Sequence, residues 1–86
     1  MPTISIFDGI KIMLYYRDNQ PPHFHAVYNE YEAEVGIDPI MILEGDLPRP
    51  ERLKVFAWAA LHQAELRANW ELARGARPLL PIEPLD

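Results

Sequence analysis

Apolar and polar residues alternate along the first half of the chain, whereas apolar residues recur at helical spacing along most of the second half. Five short segments share the alternating, β-branched and aromatic pattern of strands: residues 3–7, 10–16, 23–28, 31–37 and 40–43. Asp8-Gly9, between the first two segments, is a strong signal for a tight hairpin, and Asn29-Glu30 separates the next pair. The pattern therefore predicts an antiparallel β-meander of four to five strands.

The pattern changes at residues 47–50, LPRP, because prolines interrupt strand pairing. Pro50 can occupy the first helical position, and no helix breaker follows before Gly75. The predicted element is one long helix, either continuous or broken near His62. A continuous helix of about 25 residues would span about 37 Å, which exceeds the width of about 30 Å that suits a domain of this size. Residues 76–86 have a proline at every third position and predict an extended tail.

Together these elements predict a single α+β domain over residues 1–86. The sheet occupies residues 1–46, the helical region residues 47–75 and the tail residues 76–86. Cysteine is absent, so disulfides and thiolate chemistry are excluded. No run of apolar residues approaches the ~20 that cross a membrane, and the start does not resemble a secretion signal. We therefore expect a cytoplasmic protein without a membrane partner.

Charge is distributed unevenly along the chain. Residues 1–46 carry two basic and eight acidic side chains, and residues 47–86 carry six basic and five acidic ones. An acidic front half repels phosphates, which excludes duplex DNA as an expected partner. RNA remains a weaker expectation that would depend on the arginines of the second half: Arg49, Arg52, Arg67, Arg74 and Arg77.

The histidines of the PPHFHA run share one side of a predicted strand. A two-residue turn after residues 23–28 pairs Phe24 with Val35 on the core side. The same register pairs His25 with Glu34 on the opposite side, with His23 one pleat further along. Two imidazoles and a carboxylate are therefore expected on one face of the sheet.

Three interpretations of this face remain open. The first is a metal site, in which His23 and His25 are joined by an oxygen ligand from Glu34, Glu32 or Asp18. A lone His-X-His is a weak motif, so no metal and no cofactor is the leading expectation.

The second interpretation is catalytic, and the third is structural. Imidazole suits general acid–base chemistry, and His23, His25, Glu34 and Arg17 could form a small phosphodiester-cleaving site. The structural interpretation is a His–Glu cross-strand pair on the solvated side of the sheet, and the sequence favours it over the other two.

The predicted helix is apolar on one side along its length and, in its first half, on the opposite side as well. One stripe consists of Val55, Ala59, His62, Leu66, Trp70 and Ala73, and a second consists of Leu53, Phe56, Ala57, Ala60 and Ala64. A helix of this kind needs cover on both sides, which predicts self-association or a small partner protein. The expected partner-binding residues are Phe56, Trp58, Leu66, Trp70, Leu79 and Leu80.

Several motifs together resemble one small prokaryotic family, known as domain of unknown function 4160. They are PTIS and FDGIKI near the start, PPHFHA, YEAEV, EGDLP before the helix and NWELA within it. The recurring positions that match are Pro22, His23, Phe24, His25, Glu34, Gly45, Asp46, Leu47 and Pro48. Residues 38–41, DPIM, depart from the polar turn of the relatives, so the resemblance adds nothing to the fifth strand.

The resemblance implies a small α+β domain and an accessory protein whose gene neighbours another short gene, as in toxin–antitoxin pairs. It implies no catalytic residues. Two functional hypotheses follow. The first is an interaction module of a toxin–antitoxin-like pair, acting as a homodimer or with a small partner. The alternative is an RNase-like or metal-assisted enzyme that uses the face carrying His23, His25 and Glu34.

Overall fold

The fold is an antiparallel sheet covered on one face by two helices, in a computed structural model that describes residues 2–86. The elements are β1 (Thr3–Phe7), β2 (Ile10–Met13), β3 (His23–Tyr28), β4 (Tyr31–Gly36), β5 (Ile42–Gly45), α1 (Arg49–Leu61) and α2 (Gln63–Arg74). The five strands lie in sequence order, β1-β2-β3-β4-β5, and every neighbouring pair is antiparallel. The predicted α+β class and β-meander are confirmed.

The predicted register of β3 and β4 is also confirmed. Phe24 pairs with Val35 and His25 pairs with Glu34, as a two-residue turn requires. The turn residue Asn29 has φ of 53°, a left-handed conformation that asparagine tolerates better than most residues. One face of the sheet therefore carries the core residues, and the other carries the histidines.

Three strands have boundaries other than those predicted, and the smallest difference is at β4, which ends at Gly36 rather than residue 37. β2 ends at Met13 rather than residue 16, because the chain leaves the sheet and the Arg17 N–H donates to the Ala73 carbonyl of α2. The fifth strand is Ile42–Gly45 rather than residues 40–43. Residues before it form a turn in which the Gly36 N–H donates to the Met41 carbonyl at 2.8 Å, so pairing begins later.

The expectation of one long helix is corrected to two helices that meet at His62. This residue has φ −118° and ψ 25°, outside the helical range. The largest dimension of the molecule is 33 Å, so an unbroken helix of about 37 Å would project beyond the sheet. The break near His62 was one of the two predicted outcomes, and Gly75 ends α2 as expected.

Aromatic residues of the sheet and of α1 form the centre of the core. Trp58 is fully buried, with its ring centroid 5.5 Å from that of Phe7 and 5.7 Å from that of Phe24. The first predicted helical stripe is buried apart from His62, which is partly exposed. Within residues 2–86, no helix has the length and apolar character needed to span a membrane.

The C-terminal segment, residues 76–86, contains no helix or strand but is attached to the rest of the domain. The Ile82 N–H donates to the Ile4 carbonyl at 2.8 Å, and the Ile82 side chain is buried. The Trp58 indole donates to the Glu83 carbonyl at 2.8 Å. The Asn69 amide exchanges two hydrogen bonds with the Leu80 backbone. The segment therefore covers part of the helical layer itself.

This packing changes the accessibility of the predicted partner-binding residues. Trp58, Leu66 and Trp70 are buried in the core of the chain, so a partner cannot reach them without unfolding it. Phe56 and Leu79 are half-buried and pack against the core, and Leu80 is exposed.

Candidate functional site

The two histidines of β3 lie on the face of the sheet opposite Phe24, yet both are buried. His23 is 4% exposed and His25 is 7% exposed, which corrects the expectation of a solvated pair. The chain after β2 folds back over them. The Tyr15 ring lies 4.1 Å from the His25 ring, and the Trp70 ring of α2 lies 5.3 Å from the His23 ring.

Asp18, in the segment that folds back, contacts both imidazoles with one oxygen atom. Its Oδ2 lies 3.0 Å from His23 Nε2 and 3.1 Å from His25 Nε2. Ligand atoms of all three residues lie within 4.8 Å of one another. Two ligands about 2.05 Å from one ion are about 2.9 Å apart at right angles and about 3.4 Å apart in a tetrahedron. The two separations between Asp18 Oδ2 and the histidine nitrogens fall within this range.

The hydrogen position on His23 leaves its Nε2 as an acceptor. His23 Nδ1 lies 2.7 Å from the Pro21 carbonyl, which can only accept, so Nδ1 carries the hydrogen. In the neutral ring, Nε2 then presents a lone pair. Two carboxylate oxygens lie close to it, Asp18 Oδ2 at 3.0 Å and Glu34 Oε1 at 3.1 Å.

These short contacts at His23 are not hydrogen bonds. Within residues 2–86, His23 Nε2 has no partner in hydrogen-bond geometry, although it is fully enclosed. A lone pair surrounded by carboxylate oxygens is repulsive unless a proton or a cation lies between them. Either a proton on Nε2 or a cation bound between these atoms relieves the repulsion, so the arrangement at His23 is compatible with a ligand set.

At His25 the two ring nitrogens have the opposite roles: Nε2 is hydrogen-bonded and Nδ1 is not. Its Nε2 lies 3.1 Å from Asp18 Oδ2 in hydrogen-bond geometry, so it donates to that carboxylate. Its Nδ1 lies 3.4 Å from Glu32 Oε2 and forms no hydrogen bond within the described part of the chain. Metal-bound histidines commonly present one nitrogen to the ion and the other to a carbonyl or carboxylate. The Pro21 carbonyl holds His23 in this way, whereas Glu32 lies near His25 Nδ1 without a hydrogen bond.

The electrostatics keep Asp18 ionised. Burial alone would raise the pKa of its carboxyl group. The hydrogen bond from His25, the hydrogen bond from the Asn19 N–H and the electrostatic attraction of the two imidazoles outweigh burial, so the pKa of Asp18 lies below its usual value. An ionised carboxylate is the form that binds metal ions.

A cleft of about 350 Å³ opens beside the imidazoles and is lined by His25, Glu32, Glu34, Glu44 and Gly45. Glu34 on β4 faces Glu44 on β5 directly across the sheet. The pKa of Glu34 is raised, first by the hydrogen bond that its protonated carboxyl group donates to Glu44 and then by burial. Glu34 also contacts His23, so it connects the cleft with the three-residue cluster.

The side chain of Tyr15 covers the imidazole of His25. Its pKa is raised, first by burial and then by the charges of Glu32, Asp18 and Glu34, so the hydroxyl stays protonated at neutral pH. The ring packs against His25 at an interplanar angle of 38° and restricts the orientation of the imidazole.

The structure brings most of the predicted site residues together, with one exception. His23, His25 and Glu34 meet, and Asp18 is the member of the proposed oxygen ligands that contacts both rings. Arg17 is exposed and forms no side-chain ion pair among residues 2–86, so it does not belong to the cluster.

Sequence reasoning did not single out Tyr15 or Glu44. The YYRD run at residues 15–18, shortly before the histidines, was a signal for Tyr15. Glu44 could not be placed opposite Glu34, because the pairing of β4 with β5 has an irregularity between Glu34 and Val35.

Comparison with known proteins gives a family and nothing more specific. Residues 9–71 match the family described as Domain of unknown function (DUF4160). No curated protein and no solved structure matches the chain.

Proposed function

The chain belongs to the family described as Domain of unknown function (DUF4160), and from the geometry of its histidine cluster we propose that it is a metalloprotein. The proposed ligands are Asp18, His23 and His25, and the proposed role of the ion is to assist a hydrolytic reaction. The observation that carries this proposal is the single Asp18 oxygen at 3.0 Å and 3.1 Å from two buried Nε2 atoms.

The donor set indicates the class of metal ion. Two imidazoles and one carboxylate suit Zn²⁺ and Fe²⁺, whereas Mg²⁺ and Ca²⁺ prefer oxygen ligands alone. Three protein ligands leave positions free for water and substrate, which is typical of catalytic rather than structural zinc sites.

The surroundings of the cluster are suited to hydrolysis. A divalent ion at such a site polarises a substrate oxygen and lowers the pKa of bound water. Glu34 Oε1, 3.1 Å from His23 Nε2, is close enough to take a proton from water beside the ligands. Tyr15 and Trp70 shield the imidazoles, and the cleft beside His25 provides access.

RNA cleavage, the enzymatic alternative suggested by the sequence, has less support than hydrolysis of a substrate without phosphates. The cleft is lined by Glu32, Glu34 and Glu44 and by no basic side chain among the described residues. These carboxylates repel phosphodiesters.

Calorimetric titration of metal-free protein tests the proposal. We expect one equivalent of Zn²⁺ or, without oxygen, Fe²⁺ to bind tightly, and Mg²⁺ to bind weakly. Asp18→Asn and His25→Ala should abolish tight binding. His62→Ala is the matched control, because His62 contacts Glu65 away from the cluster and its loss should leave the affinity unchanged. Equal Zn²⁺ affinities for His25→Ala and His62→Ala would refute the proposed site.

A second candidate function is the interaction module predicted from the sequence. Leu53 and Leu61 of α1 are 54% and 72% exposed, and Ala57 and Ala60 between them are also exposed. This surface could bind a second copy or the small partner of a toxin–antitoxin-like pair. Light scattering after size exclusion tests self-association. A dimer that Leu61→Gln converts to a monomer would support it, and a monomer at all concentrations would exclude it.

A further inference from the structure

We propose that the C-terminal end of α2, together with the segment between β2 and β3, binds single-stranded nucleic acid. The residues that carry this surface are Tyr16, Arg17, Arg74 and Arg77, and we call it the arginine surface. It shares no residue with the metal cluster or with the acidic cleft. The inference therefore concerns the binding of a polyanion and does not depend on the proposed hydrolytic function.

Backbone hydrogen bonds bring three arginines from different parts of the chain to one end of α2. The Arg17 N–H donates to the Ala73 carbonyl at 3.2 Å, directly beside Arg74, which is the last residue of the helix. The Arg77 N–H donates to the Leu72 carbonyl at 2.9 Å. All three arginine side chains are exposed. The backbones of the three arginines therefore meet around the last turn of a single helix.

The arginines of this surface have no carboxylate partners among residues 2–86, although the chain contains 13 acidic residues. Other arginines do form ion pairs. Arg52 contacts Asp46 at 3.3 Å. Arg67 contacts Asp38 at 3.1 Å. The guanidinium charge of the arginine surface is therefore not neutralised by the described part of the chain.

The end of α2 does not need these guanidinium groups as caps. The Ala73 carbonyl accepts hydrogen bonds from two backbone N–H groups, and the Leu72 carbonyl accepts one. Cations are favoured near the negative end of a helix dipole, which explains a basic residue at position 74. It does not explain why Arg17, from a separate segment, is brought to the same place. The convergence leaves three guanidinium groups available to a ligand.

The residue types indicate the class of ligand. The planar guanidinium group binds phosphate through two parallel N–H bonds, so clustered arginines favour a chain of phosphates. Tyr16, directly before Arg17, is 45% exposed. An exposed aromatic ring beside cationic groups is typical of sites on which an unpaired base stacks. An acidic peptide has no base to stack, and a duplex keeps its bases stacked on one another, so a single strand fits the surface best.

Fluorescence anisotropy tests the inference with three labelled probes: octauridylate, octathymidylate and octaglutamate. The protein is kept in EDTA, and the NaCl concentration is varied. Three phosphate contacts with a single strand predict a slope of about −2 when the logarithm of the association constant is plotted against the logarithm of the salt concentration. Arg74→Gln should change this slope to about −1.4. Arg49→Gln is the matched control, because it removes the same charge from an exposed position on α1 and should leave the slope unchanged.

Substitution of Tyr16 tests the stacking contribution separately from charge. Tyr16→Ala should weaken binding of both oligonucleotides about fivefold or more, the effect of losing one stacked base, whereas Tyr16→Phe should retain most of the affinity. Tyr16 and the substituted arginines are exposed, so the variants should keep the fold, which circular dichroism checks. A tighter complex with one of the two oligonucleotides would support the inference and identify the preferred sugar.

Four results would overturn the inference. Absence of saturable oligonucleotide binding at low salt would exclude the surface as a nucleic-acid site. Equal binding of octaglutamate would mean that any polyanion is accepted. Equal effects of Arg74→Gln and Arg49→Gln would mean attraction by net charge alone. An unchanged affinity for Tyr16→Ala would remove the stacking contact that distinguishes a nucleic acid from an acidic protein segment.

Discussion

The side chain of Asn69 should contribute substantially to stability, because it attaches the C-terminal segment to α2. It is 1% exposed. Its Nδ2 donates to the Leu80 carbonyl at 2.8 Å, and its Oδ1 accepts from the Leu80 N–H at 2.9 Å. Asn69→Ala removes both hydrogen bonds and leaves two backbone groups of Leu80 without these partners.

The expected cost follows from the number of bonds. Each intramolecular hydrogen bond contributes about 0.5–1.5 kcal/mol, so the substitution should lower the free energy of unfolding by about 1–3 kcal/mol. An unfolding entropy of about 2.1 cal/mol/K per residue gives about 0.18 kcal/mol/K for this 86-residue chain. The melting temperature should therefore fall by about 6–17 °C.

Thermal and urea unfolding followed by circular dichroism measures this effect, with EDTA present to exclude metal binding. Glu71→Ala on the same helix is the control, because Glu71 is exposed and the change should stay within about 0.5 kcal/mol. If Asn69→Ala unfolds within 0.5 kcal/mol of the wild type, the attachment of residues 76–86 contributes no stability and the reasoning fails.

The sheet could be predicted from local signals because register in a tight hairpin is determined by few residues. With Asn29 and Glu30 as the turn, Phe24 and Val35 must share a face, and His25 and Glu34 must share the other. A slip by one residue would expose Phe24. The predicted strands therefore placed His23, His25 and Glu34 on one face without any tertiary information. The fourth residue of the site, Asp18, lies outside the strands.

The burial of the histidines could not be predicted in the same way. It depends on the segment between β2 and β3, in which Arg17 has φ of 55° and its N–H bonds to Ala73 of α2. This contact joins residues far apart in sequence, and no local periodicity encodes it. The choice of Asp18 over Glu32 or Glu34 as the shared oxygen donor depends on the same fold-back.

The helical region shows a second limit of local reasoning. The apolar stripe through Val55, Leu66 and Trp70 is continuous in sequence and predicts a continuous helix, but the size of the sheet sets the length that can be covered. A break at His62 was therefore indicated by dimensions rather than by propensity. The packing of Ile82 against β1 required the tertiary structure, because proline spacing predicts only an extended chain.

Three further predictions follow from the cluster and the cleft. Zn²⁺ at about 100 times its dissociation constant should stabilise the protein by about 2.7 kcal/mol, which raises the melting temperature by about 15 °C. His25→Ala should lose this stabilisation. An equal rise in the melting temperature of that variant would exclude the cluster as the binding site. Gly45→Ala should lower the free energy of unfolding in urea by at least about 1 kcal/mol, because φ is 73° and a Cβ would overlap the Glu32 carbonyl oxygen. Gly75→Ala is the control and should cost less, because a Cβ there meets only ordinary contacts. Glu44→Gln should stabilise the metal-free protein at neutral pH by a few tenths of a kcal/mol. The sign follows from the pKa of Glu34, which Glu44 raises in the folded state above the ordinary value of 4.5. A carboxyl group whose pKa is raised in the folded state contributes to the free energy of unfolding when the pH is below its unfolded pKa. This contribution is lost as the pH rises through the folded-state pKa. The advantage of Glu44→Gln in urea midpoints should therefore be present at pH 7 and absent at pH 4, and a wild type that gains on the variant as pH rises would contradict the assigned Glu34–Glu44 interaction.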